Sequence, residues 1–177
     1  MRFIGRALLF LAGLVVLLAA GAFLLPREVA VERSIAIDAP PDAVFPHLNS
    51  TQAMGEWSPW LGRDPNIQLA FSGPETGAGN KLDWTSEVPE VGNGSQEITA
   101  VVENERVETA LDFGEMGTAE AWLTLAPSGD STEVVWGFVT DTGMNPMARY
   151  FGLMMDKWVG GDYETGLANL KALVEGG

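Results

Sequence analysis

From Ile67 to Phe138 the apolar residues come in short bursts at every second position, and after Gly143 the period changes to that of a helix. Ile67, Leu69 and Phe71 alternate. So do Ile98, Ala100 and Val102, then Val107, Thr109, Leu111 and Phe113, then Ala121, Leu123 and Leu125, then Val134, Trp136 and Phe138. Leu82 and Trp84 add a shorter burst. Alternation at period two marks half-buried strands. The connections are turn-rich: "SGPETGAGN" from Ser72, Asn93-Gly94 as a hairpin signal, Glu103 to Arg106, and "PSGDS" from Pro127. Adjacent strands on short turns make an antiparallel sheet.

What flanks these strands narrows the architecture. "VAVERSIAID" (Val29 to Asp38) alternates as a first strand. Pro40-Pro41-Asp42 then opens a short helical piece carrying Val44, Phe45 and Leu48, and a second piece runs from about Thr51 to Glu56. It ends in "GEWSPW", where Pro59 drives Ser58 out of the helical region. At the other end Asn145-Pro146 is a helix cap with proline at the first position. Met147, Tyr150, Phe151, Met154, Met155 and Trp158 keep helical spacing; Gly160-Gly161 is expected to kink or break the helix; Tyr163, Leu167, Leu170, Leu173 and Val174 resume it. The expected fold is α+β: one curved antiparallel sheet wrapped around a long C-terminal helix, with two short helices after the first strand.

The first 27 residues have a different character. Ala7 to Leu25 is an uncharged run of 19 residues. As a helix it would be roughly 28 Å long, close to a bilayer's hydrocarbon thickness. Arg2 and Arg6 precede it, which by the positive-inside rule would hold that end in the cytoplasm. The expectation is a single-pass inner (cytoplasmic) membrane protein with the N-terminus inside and the domain on the periplasmic side. Ala20-Gly21-Ala22 also fits a signal-peptide cleavage pattern, which would release the domain to the periplasm, but the apolar run continues to Leu25 and an uncleaved anchor is favoured. The expected division is residues 1–27 as membrane anchor and 28–177 as one domain.

Charge and chemistry exclude several functions. From Arg27 onward there are 8 basic and 24 acidic residues, a net of −16. Such a surface repels phosphate backbones, so no nucleic-acid partner is expected. There is no cysteine, which removes thiol nucleophiles, disulfides and Cys-ligated metals. His47 is the one histidine, and the sequence sets no orienting acid or nucleophile beside it. "GPETGAGNK" lacks the Gly-Lys-Ser/Thr ending of a phosphate loop and leads into a strand. No metal, cofactor or catalytic residue is expected.

The stretches "VERSIAIDAPPDAVFPHLNS", "EWSPW", "GPETGAGNKLDWTSE", "STEVVWGF" and "DYETGLANLKALVE" resemble the START-like helix-grip superfamily (SRPBCC), which includes polyketide cyclase/dehydrase-like and lipid-transport proteins, in its membrane-tethered bacterial branch. The resemblance covers roughly Val29 to Glu175. It implies a deep apolar cavity between sheet and helix. The apolar residues expected at such a cavity are Trp57, Trp60, Phe71, Trp84, Leu111, Phe113, Trp136, Phe138, Tyr150, Phe151, Met154, Met155 and Trp158; taken singly, each is more readily plain core than a ligand contact. Trp57 is expected in the core and Trp60 at the rim. The resemblance implies binding of a hydrophobic small molecule or lipid, with a cyclase- or dehydratase-like enzyme or a partner-binding scaffold as alternatives.

Overall fold

A computed structural model describes residues 2–176 and, within the first helix, the side chains of residues 3, 5, 6 and 9–22. The first helix, α1, is Arg2–Ala22. Strand β1 (Glu28–Ile37) leads to the short helices α2 (Pro41–Val44) and α3 (Thr51–Trp57). Six strands follow: β2 (Gln68–Ser72), β3 (Lys81–Thr85), β4 (Asn93–Val102), β5 (Arg106–Asp112), β6 (Thr118–Ser128) and β7 (Ser131–Asp141). Helix α4 (Pro146–Glu175) closes the chain.

All seven strands share one sheet in the order β1-β7-β6-β5-β4-β3-β2, each pair antiparallel. The first strand thus pairs with the last, and the sheet runs outward from there to β2. Because side chains of directly opposed residues share a face, the register defines rows on the concave side. One row is Val31, Phe138, Ala121, Thr109 and Ile98. All five are buried. The neighbouring row begins Val29, Thr140, Ala119 and Leu111 and continues through Gln96 and Leu82 to Phe71. Gln96 Nε2 reaches Met54 Sδ at 3.5 Å, so this is the face that α3 covers.

Helix α4 is continuous over 30 residues, about 45 Å. Gly160-Gly161 therefore does not break it. A Cβ at position 160 would collide with the Arg33 guanidinium, so Gly160 leaves room for this β1 side chain against α4. Arg33 there bonds Glu164 and Asp156 through side chains (2.8 and 3.0 Å) and the Asp156 carbonyl at 3.1 Å. Asn145 caps the helix as expected, its Oδ1 accepting from the Met147 N–H at 2.9 Å.

Asn93-Gly94 also lies elsewhere than expected. The β3–β4 turn is made earlier, with Gly92 at φ 62° and both Val91 and Gly92 N–H donating to the Val88 carbonyl. Asn93 Oδ1 accepts from the Ser86 N–H at 2.9 Å, and Gly94 sits beneath the Trp84 ring, where a Cβ would come within 2.8 Å of it.

The N-terminal expectation is corrected. Among the described residues, no helix is long and apolar enough to cross a membrane, so the single-pass inner-membrane placement is withdrawn. The helix is instead seen attached to the domain at its C-terminal end. The Tyr150 hydroxyl donates to the Leu18 carbonyl at 2.8 Å. Buried Arg149 donates to the Phe23 and Leu25 carbonyls (3.4 and 3.1 Å) and lies 5.0 Å from the Phe23 ring.

Candidate functional site

The short-helix segment is built to bring tryptophans against the sheet. Ser50 caps α3, its Oγ accepting from the Gln52 N–H at 3.2 Å. Buried Asn80 ties this helix to the loop before β3: its Oδ1 accepts from the Thr51 N–H and hydroxyl (2.7 Å each), and its Nδ2 donates to the Pro74 and Glu75 carbonyls. At the far end of α3, Trp57 is 2 % exposed and its Nε1 donates to the His47 carbonyl at 3.0 Å. Ser58 takes an extended ψ of 129°, as the residue before proline should. The chain turns there, and Trp60 lands half-buried.

Four aromatic rings then meet. Trp57 and Trp60 stand edge-on to Trp136 at 5.0 and 5.6 Å, while Tyr163 stacks flat on Trp136 at 3.8 Å with a 7° interplanar angle. Edge-on and stacked pairs are the favourable quadrupole arrangements. Gly166 makes room for this, since a Cβ there would sit 2.7 Å from the Trp136 ring. Burial pushes the Tyr163 hydroxyl far above its usual pKa, so it stays neutral. Phe138 is buried on the same strand as Trp136. These residues form a filled core under the C-terminal half of α4.

Toward the N-terminus of α4 the arrangement changes. At about 100° per residue, Phe151, Met155, Trp158, Asp162 and Asn169 fall along one flank of the helix. On the C-terminal half this flank is covered: Asp162 accepts from Trp60 Nε1 at 2.9 Å and from Arg63, and Asn169 donates to the Trp57 carbonyl. On the N-terminal half the flank remains apolar but is open. Phe151 is 52 % exposed, Met154 45 % and Trp158 50 %. Met155 is half-buried and packs on the core from the helix side, as Leu111 and Phe113 do from the sheet side. Beyond them Trp84 stands edge-on to Phe113 at 6.0 Å, and Phe71 is exposed on β2. Helix α4 packs chiefly along β1. The apolar residues thus lie on two surfaces, Phe151, Met155 and Trp158 on the flank of α4, and Phe71, Trp84, Leu111 and Phe113 on the concave side of the sheet.

The structure therefore sorts the thirteen expected residues into three groups. Trp57, Trp136 and Phe138 lie in the core, with Trp60 at its edge. Phe71, Trp84, Leu111 and Phe113 lie on the sheet side, and Phe151, Met154, Met155 and Trp158 on the N-terminal half of α4. Tyr150 points to α1 and stands apart. The Asp162–Arg63 pair beside Trp60 was not anticipated. Its signal was an acid placed four residues after Trp158 on an otherwise apolar flank.

Polar groups nearby are engaged. Ser58 Oγ accepts from the Trp60 N–H, and the Thr109 hydroxyl donates to the Ala121 carbonyl. The carboxylate of buried Asp64 accepts from the Asn66 N–H and the Ser86 hydroxyl (2.8 and 2.6 Å), stapling two loops. Asp112 and Glu120 are exposed, and with Asp83 they occupy the strand positions of opposite phase to the concave rows. Among the described residues no group of three or more His, Asp or Glu could hold a metal ion. Two open recesses lie elsewhere. One of about 520 Å³ is bordered largely by outer-face residues such as Glu97, Glu120 and Asp141, and one of about 620 Å³ lies by the Val102–Arg106 turn.

The sheet and helix arrangement recurs in solved structures. The protein CV1439 from Chromobacterium violaceum shares 18% identity over 85% of this chain and 99% of its own, with a TM-score of 0.54. SA2116 from Staphylococcus aureus, of unknown function, aligns over 84% and 94% of the two chains at 10% identity and a TM-score of 0.62. Ara h 8.0201 aligns over 85% and 99% at 15% identity and a TM-score of 0.59. At such identities the likeness is one of fold. No curated protein matches the chain in sequence. The family model described as "Polyketide cyclase / dehydrase and lipid transport" matches residues 28–175, from the start of β1 to the end of α4. The chain belongs to this family of the SRPBCC helix-grip superfamily.

Proposed function

We propose that the protein binds a hydrophobic small molecule or lipid in a cleft between the N-terminal half of α4, which carries Phe151, Met155 and Trp158, and the concave side of β2–β5, which carries Phe71, Trp84, Leu111 and, just past β5, Phe113. The observation that carries this reading is the apolar flank of α4 running past the point where α3 and Trp60 cover it. Phe151, Met154 and Trp158 are each about half exposed there. Half-exposed aromatic and methionine side chains around an apolar floor suit an adaptable apolar ligand. The family's description includes lipid transport, which agrees with this reading.

The test is titration with Nile red, a neutral dye whose emission shifts to the blue in apolar surroundings. The wild-type protein is expected to produce a saturable blue shift. Replacing Trp158 and Phe151 together with serine should weaken it by about tenfold or more, equal to about 1.4 kcal/mol, while the melting temperature stays within a few degrees. Dye binding that is absent, or that ignores both substitutions, would count against the cleft.

A further inference from the structure

The charges around the cleft bear on which head group a ligand can carry. An apolar pocket that accepts a fatty carboxylate or a phosphate needs a cation or a set of N–H donors free to meet it. Here the cations of the domain are engaged elsewhere. Arg63, one turn past Trp60, is held by Asp162, whose other oxygen accepts from Trp60 Nε1. Lys81 leaves the opposite wall for the outer face, where it pairs with Asp83 at 2.9 Å. Arg27, Arg33, Arg106 and Lys171 each bond a carboxylate, and buried Arg149 is spent on backbone carbonyls. Lys157 lies on α4 itself, but about 160° around the helix from Met155, facing away from the cleft. The surrounding domain carries a net of −16, a field that opposes the approach of anions. The walls, by contrast, present the faces and edges of Trp84, Trp158, Phe71 and Phe151, which accept a neutral chain and attract a cation.

We infer that the cleft takes amphiphiles with an uncharged or cationic head and discriminates against carboxylate and phosphate heads, with the Asp162–Arg63 pair as the gate that withholds the Arg63 cation. This rests on the binding reading above. The experiment is displacement of Nile red by 1-dodecanol, dodecylamine and dodecanoate at pH 8, which have the same chain and different heads. Dodecanol and dodecylamine should displace the dye at concentrations about tenfold or more below dodecanoate, and raising the salt should narrow the gap as the repulsion is screened. Asp162→Asn keeps an acceptor for Trp60 but removes the partner charge of Arg63. It should improve dodecanoate by about tenfold and leave dodecanol unchanged. Dodecanoate that competes as well as dodecanol on the wild-type protein, or an unchanged ratio in Asp162→Asn, overturns the inference while dye binding itself stands. Absence of dye binding sinks the underlying reading instead.

Discussion

The two halves of α4 use the same apolar pattern for different ends. From Val159 onward the residues that face the sheet are enclosed: Tyr163, Leu167 and Leu170 are each 3 % exposed or less. From Met147 to Trp158 the apolar flank is at least as rich, yet Met147, Phe151, Met154 and Trp158 range from 45 to 67 % exposed. What differs is the cover. Asp162 and Asn169 draw Trp60 and the end of α3 onto the C-terminal half. No such polar bridges occur between α3 and the N-terminal half among the described residues. Helical periodicity is therefore a statement about which side of a helix is apolar, not about whether anything lies on it.

That contrast is broken most directly by deleting its filled side. Trp57→Ala removes a ring packed edge-on to Trp136 and should cost about 3–5 kcal/mol in urea unfolding. Trp60→Ala, at the half-buried edge, should cost clearly less. Equal and small losses from both would mean that the four-ring cluster does not organise the core. The glycines of α4 give a finer cut. Gly166→Ala drives a methyl into Trp136 and the neighbouring Pro59, at 2.7 and 3.2 Å, and should destabilise by about 1–3 kcal/mol. Gly161→Ala meets nothing within 4 Å and should stabilise by about 0.5–1 kcal/mol through helix propensity. If both substitutions change stability in the same direction, α4 is not seated as described.

These cases show what was legible in the sequence. The strands, the cap at Asn145 and the long helix follow from period and turn chemistry, because each is set by residues close in the chain. Trp57 as core and Trp60 as rim also followed, since Pro59 fixes the turn between them. The pairing of β1 with β7 and the seat of Gly160 under Arg33 are contacts between residues 95 or more positions apart, and no local pattern encodes them. Asn93-Gly94 was misplaced for the same reason: the glycine is demanded by Trp84 across the sheet rather than by a turn. The apolar flank of α4 could be read from its period, but Tyr150 could not be separated from Phe151, because periodicity does not reveal that α1 claims the tyrosine.

The open half should be tolerant where the closed half is not. Trp158→Ala removes a large ring that is half exposed, and should change unfolding free energy by no more than about 0.5–1 kcal/mol, far below the effect of Trp57→Ala. The same variant should lose most of its Nile red blue shift. A loss as large as that of Trp57→Ala would show Trp158 to be a structural plug and the N-terminal half of α4 to be core after all.

The smallest effect concerns how the two ends of α4 are pinned. At the C-terminal end the Glu175 carboxylate accepts from the Asp38 N–H and from Lys171, which hold its pKa below the usual range. At the N-terminal end Asp141 accepts two bonds from Arg27 (2.7 and 2.6 Å) and one from the Gly143 N–H, which lower its pKa to about 2. Both groups are depressed on folding, so their contribution is present above the unfolded carboxylate pKa near 4 and fades as pH falls toward 2. Both are exposed, so the contribution is small and screened by salt. Asp141→Asn should make the fall in melting temperature between pH 4 and pH 2 slightly shallower at low salt, and the difference should vanish in high salt. Because Asp141 holds the turn before the open half, the variant should also loosen that turn, read as faster amide exchange at Gly143. Exchange that quickens instead around Lys171 and Glu175, with Gly143 unchanged, would place the acid-sensitive anchor at the closed end.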